Sequence, residues 1–233
     1  MQHVTVATVA DAAVIQPFHL NDQVYKSVRT RLLTREFGPG TRLGLQALAD
    51  ELAVSRSPVQ HALTRLVTEG LVEVDRRGYR PRALTATLMA EAHDVRSALE
   101  LFAADQTVGR LSREQLDLLR ACLDHTIELV ENFEFVDKHE YMLANKAFHE
   151  CIVDLVGNGS LSHTYRSLSL HELMERVLAG PTRAAGNSSQ EHRRIVEAYE
   201  AGDLVAARAA IIANVETGKR LAIEVIEASG GVL

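Results

Sequence analysis

The sequence predicts a mainly α-helical chain in two unlike parts: a short N-terminal module of three helices closed by a β-hairpin, and a longer remainder that is helical throughout. Three observations carry this. Apolar residues recur at three- and four-residue steps along most of the chain. Strand character is confined to residues 71–81, where two short β-forming runs flank a basic turn. Charge divides at Pro81: residues 21–82 hold eleven Lys and Arg against seven Asp and Glu, a net +4, whereas the whole chain carries −6 and the rest therefore −10.

Residues 1–20 show no helical period and precede the start signal Asn21-Asp22, which marks them as a flexible arm. A first helix then runs to about Phe37 on Val24, Val28, Leu32 and Leu33, and Gly38-Pro39-Gly40 stops it. A short helix over Leu45–Ala53 follows. Ser55 is placed to cap a third helix through Thr68, with Pro58 in the first turn, where its missing N–H costs nothing. Gly70 ends that helix, and residues 71–74 and 79–81 flank the turn Asp75-Arg76-Arg77-Gly78. Residues 21–82 thus read as a winged helix-turn-helix. Beyond it, residues 83–233 read as a six-helix antiparallel bundle. Its helices cover about Thr85–Val108, Ser112–Asn132 (with the capping box Ser112-x-x-Gln115), Glu134–Val156, Leu161–Leu178, Ser188 or Ser189 to Ala201, and a last one capped by Asp203 and running to Ala228.

Composition narrows the function. With 46% hydrophobic residues the chain can fill a core, and with 5% aromatics and no tryptophan it lacks the stacked faces of a single-strand nucleic-acid binder. Cys122 and Cys151 are too few for a disulfide framework and form no C-x-x-C pair, which fits a reducing, cytoplasmic setting. No apolar run reaches the roughly 18 residues of a membrane span, so no membrane partner is expected.

The motif Leu48-Ala49-x-Glu51-Leu52-x-Val54-Ser55-Arg56-Ser57-Pro58-Val59, continued by Ala62-Leu63-x-x-Leu66-x-x-Glu69-Gly70-Leu71-Val72, resembles the GntR family of bacterial transcription regulators over residues 21–82. The resemblance implies binding to double-stranded DNA, with Ser55, Arg56 and Ser57 at the N-terminal end of a recognition helix in the major groove. Arg56 is the leading candidate for a bidentate contact to guanine, and Arg76, Arg77 and Arg80 on the wing, with Gly78 permitting the turn, would hold phosphates. Arg35, Gln46, Gln60, His61 and Arg65 complete the expected DNA-facing set. Two positions depart from the family pattern. Gln60 stands where arginine follows Pro-Val, and Leu45-Gln46 replaces an acidic and basic pair, which implies an atypical operator and a shallow salt dependence.

Within residues 87–228, Asp94-Val95-Arg96-x-x-Leu99-Glu100, Asn145-x-x-x-His149 and Glu191-His192-x-x-Ile195 resemble the FCD ligand-binding domain of the FadR subfamily. Metal-binding members present Asp-x-x-x-His on one helix and two further histidines. The positions here are Asn145, His149, His192 and Asn214, so two expected ligands of a zinc- or nickel-like divalent ion are neutral amides. Metal ligation and hydrogen-bonded core histidines both stay open for His149 and His192. Arg96 is either the seat of a carboxylate effector or the partner of Glu100. The expected function is a homodimeric regulator, a repressor on palindromic half-sites, whose DNA affinity is controlled by a small organic acid bound at Arg96, Asn145, His149, His192 and Asn214. The alternatives are a metal-dependent hydrolase and an effector-free DNA-binding protein.

Overall fold

Val24, Val28, Leu32 and Leu33 line one face of helix α1 (Pro17–Leu33) and bury against α3 (Arg56–Thr68). The computed structural model describes residues 17–131, 134–179 and 185–233. Within them α1 begins earlier than Asn21-Asp22, because Pro17, whose fixed φ suits the first helical position, opens it. Residues 17–20 therefore belong to a helix, and the rest of the expected arm lies outside the described residues.

α2 (Leu45–Glu51) and α3 are locked together through Leu48, Val59, Leu63 and Leu66. The turn between them places Ala53 at φ +52°, where Val54 N–H bonds the Ala49 carbonyl at 2.9 Å. Ser55 has the extended backbone of an N-cap, but its hydroxyl makes no capping bond, contrary to expectation. Gly70, at φ +70°, closes α3 with paired bonds from Gly70 N–H to Val67 and from Leu71 N–H to Leu66, both 3.0 Å. Strands β1 (Val72–Asp75) and β2 (Gly78–Pro81) pair antiparallel from Val72↔Pro81 to Asp75↔Gly78, leaving Arg76-Arg77 at the tip. Leu43 bridges to Tyr79 and ties the wing to the chain entering α2.

The second part contains α4 (Ala86–Thr107), α5 (Arg113–Glu128), α6 (Lys138–Asp154), α7 (Gly159–Ser167), α8 (Leu170–Val177), α9 (Ala185–Ala201) and α10 (Leu204–Ala228). Thr85, Ser112 with Gln115, Asp137, Asn158 and Asp203 cap their helices. This makes seven helices among the described residues where the sequence reading expects six, because the expected Leu161–Leu178 helix breaks in two. Ser169 adopts φ +50° and packs beside Gly70 of the first module, a tertiary contact that overrides local helical preference. α6 starts at Lys138 rather than Glu134, since β3 (Val130–Glu131) and β4 (Glu134–Phe135) form a small hairpin just before it. α9 begins at Ala185, ahead of the expected Ser188 or Ser189 start, and the Gly180-Pro181 stop lies outside the described residues.

Two apolar clusters fill the bundle. One gathers Ala103, Leu119, Phe148, Ile152, Ile195 and Ile211, the other Met89, Tyr141, Leu173, Ala222 and Ile226. Between them a polar band crosses α4, α6, α9 and α10, and it is this band that positions the site. No described helix is long and apolar enough to cross a membrane.

Candidate functional site

Along α4, Met89, His93, Arg96 and Glu100 recur at helical steps and all point inward. A cavity of about 410 Å³ opens beside them, within the range typical of small-molecule sites. It is lined by His93 and Arg96 from α4, Asn145 and His149 from α6, His171 from α8, Glu191 from α9, and Asn214 and Thr217 from α10. Met142, Leu170, Met174, Leu178 and Leu221 form its apolar wall.

Arg96 is the hub. Its Nε donates to Glu100 Oε1 at 2.7 Å, and its Nη2 lies 2.9 Å from the His149 ring nitrogens and 2.8 Å from Asn214 Oδ1. Tyr165 donates its hydroxyl to the same Glu100 oxygen at 2.7 Å. Burial alone would raise the Glu100 carboxyl, but the adjacent guanidinium outweighs it and holds the group well below the usual carboxylate range. Burial, reinforced by the Arg96 charge, pushes His93 down to about 4. Burial likewise lowers His149, His171 and His192, leaving all four imidazoles neutral near pH 7.

Of the residues expected to gather, Arg96, Asn145, His149 and Asn214 meet at the cavity, whereas His192 stands behind it. Its ring packs 4.4 Å from Phe148 and 4.9 Å from His149, centroid to centroid, and both its nitrogens are buried without a partner. These residues do not fit a divalent metal. A guanidinium already occupies the point toward which His149 and Asn214 converge, the remaining donor Asn145 is neutral, and no group of three His, Cys, Asp or Glu among the described residues is arranged to hold an ion. Sequence reasoning missed His93, His171 and Glu191. The helical spacing of His93 from Arg96, and the place of Glu191 in the Glu191-His192 motif, are the signals the sequence offers for them.

On the first module, Arg56, Ser57 and His61 are exposed at the start of α3, and Arg76 and Arg77 are exposed on the wing tip, next to the permissive Gly78 at φ +108°. The Arg56 and Arg76 side chains make no hydrogen bond or ion pair among the described residues. Gln60 donates its amide to the Tyr79 hydroxyl, and Gln46 donates to Asp50 at 2.7 Å. Three expected DNA contacts are engaged elsewhere. Arg35 donates to the carbonyls of Arg176 (2.9 Å) and Val177 at the end of α8. Arg65 lies 3.6 Å over the Tyr25 ring and pairs with Glu69 and Asp22. Arg80 is bound by Glu73 at 2.8 Å and Asp75 at 3.3 Å. Arg42, which the sequence reading passed over, donates to the Arg77 carbonyl and braces the wing tip.

α8 joins the two sites. One face supplies Leu170, His171 and Met174 to the cavity, while Glu175 reaches Arg29 of α1 at 3.2 Å. Arg176 donates to the Arg82 carbonyl, and burial beside Arg35 lowers its pKa to about 10.

A winged DNA-reading head carried on a helical bundle whose cavity is crossed by a polar, charged cluster defines a ligand-responsive transcription regulator. The comparisons agree. Residues 20–78 match the gntR family of bacterial regulatory proteins, and residues 91–217 match the FCD domain. The gluconate operon transcriptional repressor of Bacillus licheniformis is 30% identical over 178 residues, 74% of this chain and 70% of that one. The HTH-type regulator YdhC of Bacillus subtilis is 29% identical over 201 residues, 85% of this chain and 88% of that one. A GntR regulator from Rhodococcus sp. RHA1 shares the fold at a TM-score of 0.67 and 23% identity, over 89% of this chain and 98% of its own. The chain belongs to the GntR family of transcription regulators, in the group that carries an FCD domain.

Proposed function

We propose that this chain is a homodimeric, cytoplasmic repressor that holds two half-sites of a palindromic operator and responds to a small carboxylate bound against Arg96. The observation that carries the reading is α8, one helix that both walls the cavity and docks the DNA-reading module through Glu175 and the carbonyls of Arg176 and Val177. A ligand pressing on Leu170, His171 and Met174 bears on the element that seats α1, so occupancy and head position share one mechanical link. Relatives named as operon repressors, the gluconate regulators of two Bacillus species among them, support the direction of control.

The test has two stages. A thermal-shift panel of small carboxylic acids yields a stabilising ligand, because binding to the native state raises Tm. That ligand then weakens binding to an operator selected from random DNA by about 5- to 150-fold, the usual span of such coupling. A ligand that stabilises the protein yet leaves operator affinity unchanged refutes the coupling, and silence across the panel refutes the carboxylate.

A further inference from the structure

Two cations, Arg96 and Arg220, and two carboxylates, Glu191 and Glu224, line the cavity, but they are not paired with one another throughout. Arg96 is matched by Glu100 at 2.7 Å, and Arg220 at the mouth faces Glu224 at 3.9 Å. His93, His149 and His171 are neutral, held down by burial. Glu191 alone is left over. Its carboxylate accepts Thr217 Oγ1 at 2.8 Å and Asn214 Nδ2 at 3.0 Å, both uncharged donors, and no cation reaches it among the described residues. Glu191 is thus a cavity carboxylate with no cationic partner among the described residues, and a ligand that brings its own cation would meet it.

The same cavity also offers hydrogen-bond donors. Arg96 and the Asn145 amide both line it, and His93 Nε2 is buried there without a partner. Neutral His93 gives its Nδ1 hydrogen to the Met89 carbonyl at 2.7 Å, so its buried Nε2 is an acceptor that awaits a donor from within the cavity. A single amide, Asn214, links Arg96 to Glu191, accepting from the first and donating to the second. A carboxylate and an ammonium on one small molecule would address the same two groups, each with its own hydrogen bonds. The Met142, Leu170, Met174, Leu178 and Leu221 wall suits an apolar arm.

We propose that the effector is a zwitterion, an α-amino acid with an apolar side chain, whose carboxylate meets Arg96 and Asn145 and whose ammonium meets Glu191. This rests on the reading of the cavity as the effector site and deepens it. Isothermal titration of the full chain with L-leucine and L-phenylalanine, their 2-hydroxy acid counterparts and their decarboxylated amines tests it. At least one amino acid binds ten times or more tighter than its hydroxy acid, and the amines do not bind measurably. Glu191→Gln, which keeps an acceptor for Thr217, lowers the amino acid's affinity at least tenfold and leaves the hydroxy acid's unchanged or improved, with thermal denaturation checking that the variant folds. A hydroxy acid that binds the native chain as tightly as its amino acid overturns the zwitterion while the carboxylate reading stands. Amino acid binding indifferent to Glu191→Gln overturns it as well. No binding by any of the six also overturns it, and the wider acid panel then decides the carboxylate reading separately.

Discussion

Replacing Glu100 by Gln would leave the Arg96 guanidinium buried without its counter-charge, a change that typically costs about 3–5 kcal/mol. Urea denaturation of Glu100→Gln is expected to show a loss of that size, and a loss under about 1 kcal/mol would mean that the pair contributes little. The histidines respond to pH in a definite direction. His93 titrates at about 4 in the native state against about 6.5 when unfolded, so the unfolded chain takes up the proton first and stability falls as pH drops through that window. The groups facing it, Arg96 and Lys219, add to the effect, while Glu100 partly opposes it. Between pH 7 and pH 5 His93 alone accounts for about 2 kcal/mol, and His93→Gln flattens the denaturation profile by about that amount. Much at this scale is legible in sequence. The Arg96 and Glu100 pairing follows from their i, i+4 spacing, and Asn145 with His149 share a helix face for the same reason. The role of Glu191 is not legible, because it depends on Asn214 and Thr217, which reach it from another helix.

Helix α3 separates two kinds of arginine that look alike in sequence. Arg56 stands exposed at its N-terminal turn, so Arg56→Ala is expected to cost about 1–3 kcal/mol of operator affinity and to relax base preference at one position, read by fluorescence anisotropy on operator variants. Arg65 is held on Tyr25 and Glu69, so Arg65→Ala should lower the module's stability and leave base preference intact. A shift in preferred sequence with Arg65→Ala would reverse that assignment. The turn before α3 holds a residue with a side chain in a left-handed conformation, and Ala53→Gly there should raise stability by up to about 1 kcal/mol. Element ends marked by side-chain caps were readable in advance, as Ser112 with Gln115 and Asp203 illustrate. The break between α7 and α8 was not, since a lone serine inside a helical pattern is a weak signal, and Ser169 takes its φ of +50° where Gly70 of the other module lies beside it.

For the whole molecule, the division of charge at Pro81 separates a basic reading head from an acidic bundle, which repels the DNA backbone and leaves one end of the molecule to meet it. With Arg35, Arg65 and Arg80 turned inward or paired, fewer cations remain for phosphates than the +4 suggests. Arg76→Ala should reduce the slope of log affinity against log salt by about one unit. The stretch that joins the two parts is itself tied down. Arg82 N–H bonds Leu71 at 2.9 Å, and Leu84 exchanges backbone bonds with Leu233 at 2.8 and 3.0 Å. The head therefore has no slack tether, and two copies on one operator would hold their heads at a set rotation about the duplex axis. Inserting about five base pairs between half-sites, half a turn, should abolish joint binding, and inserting about ten should restore much of it; a loosely strung protein would accept both spacers alike.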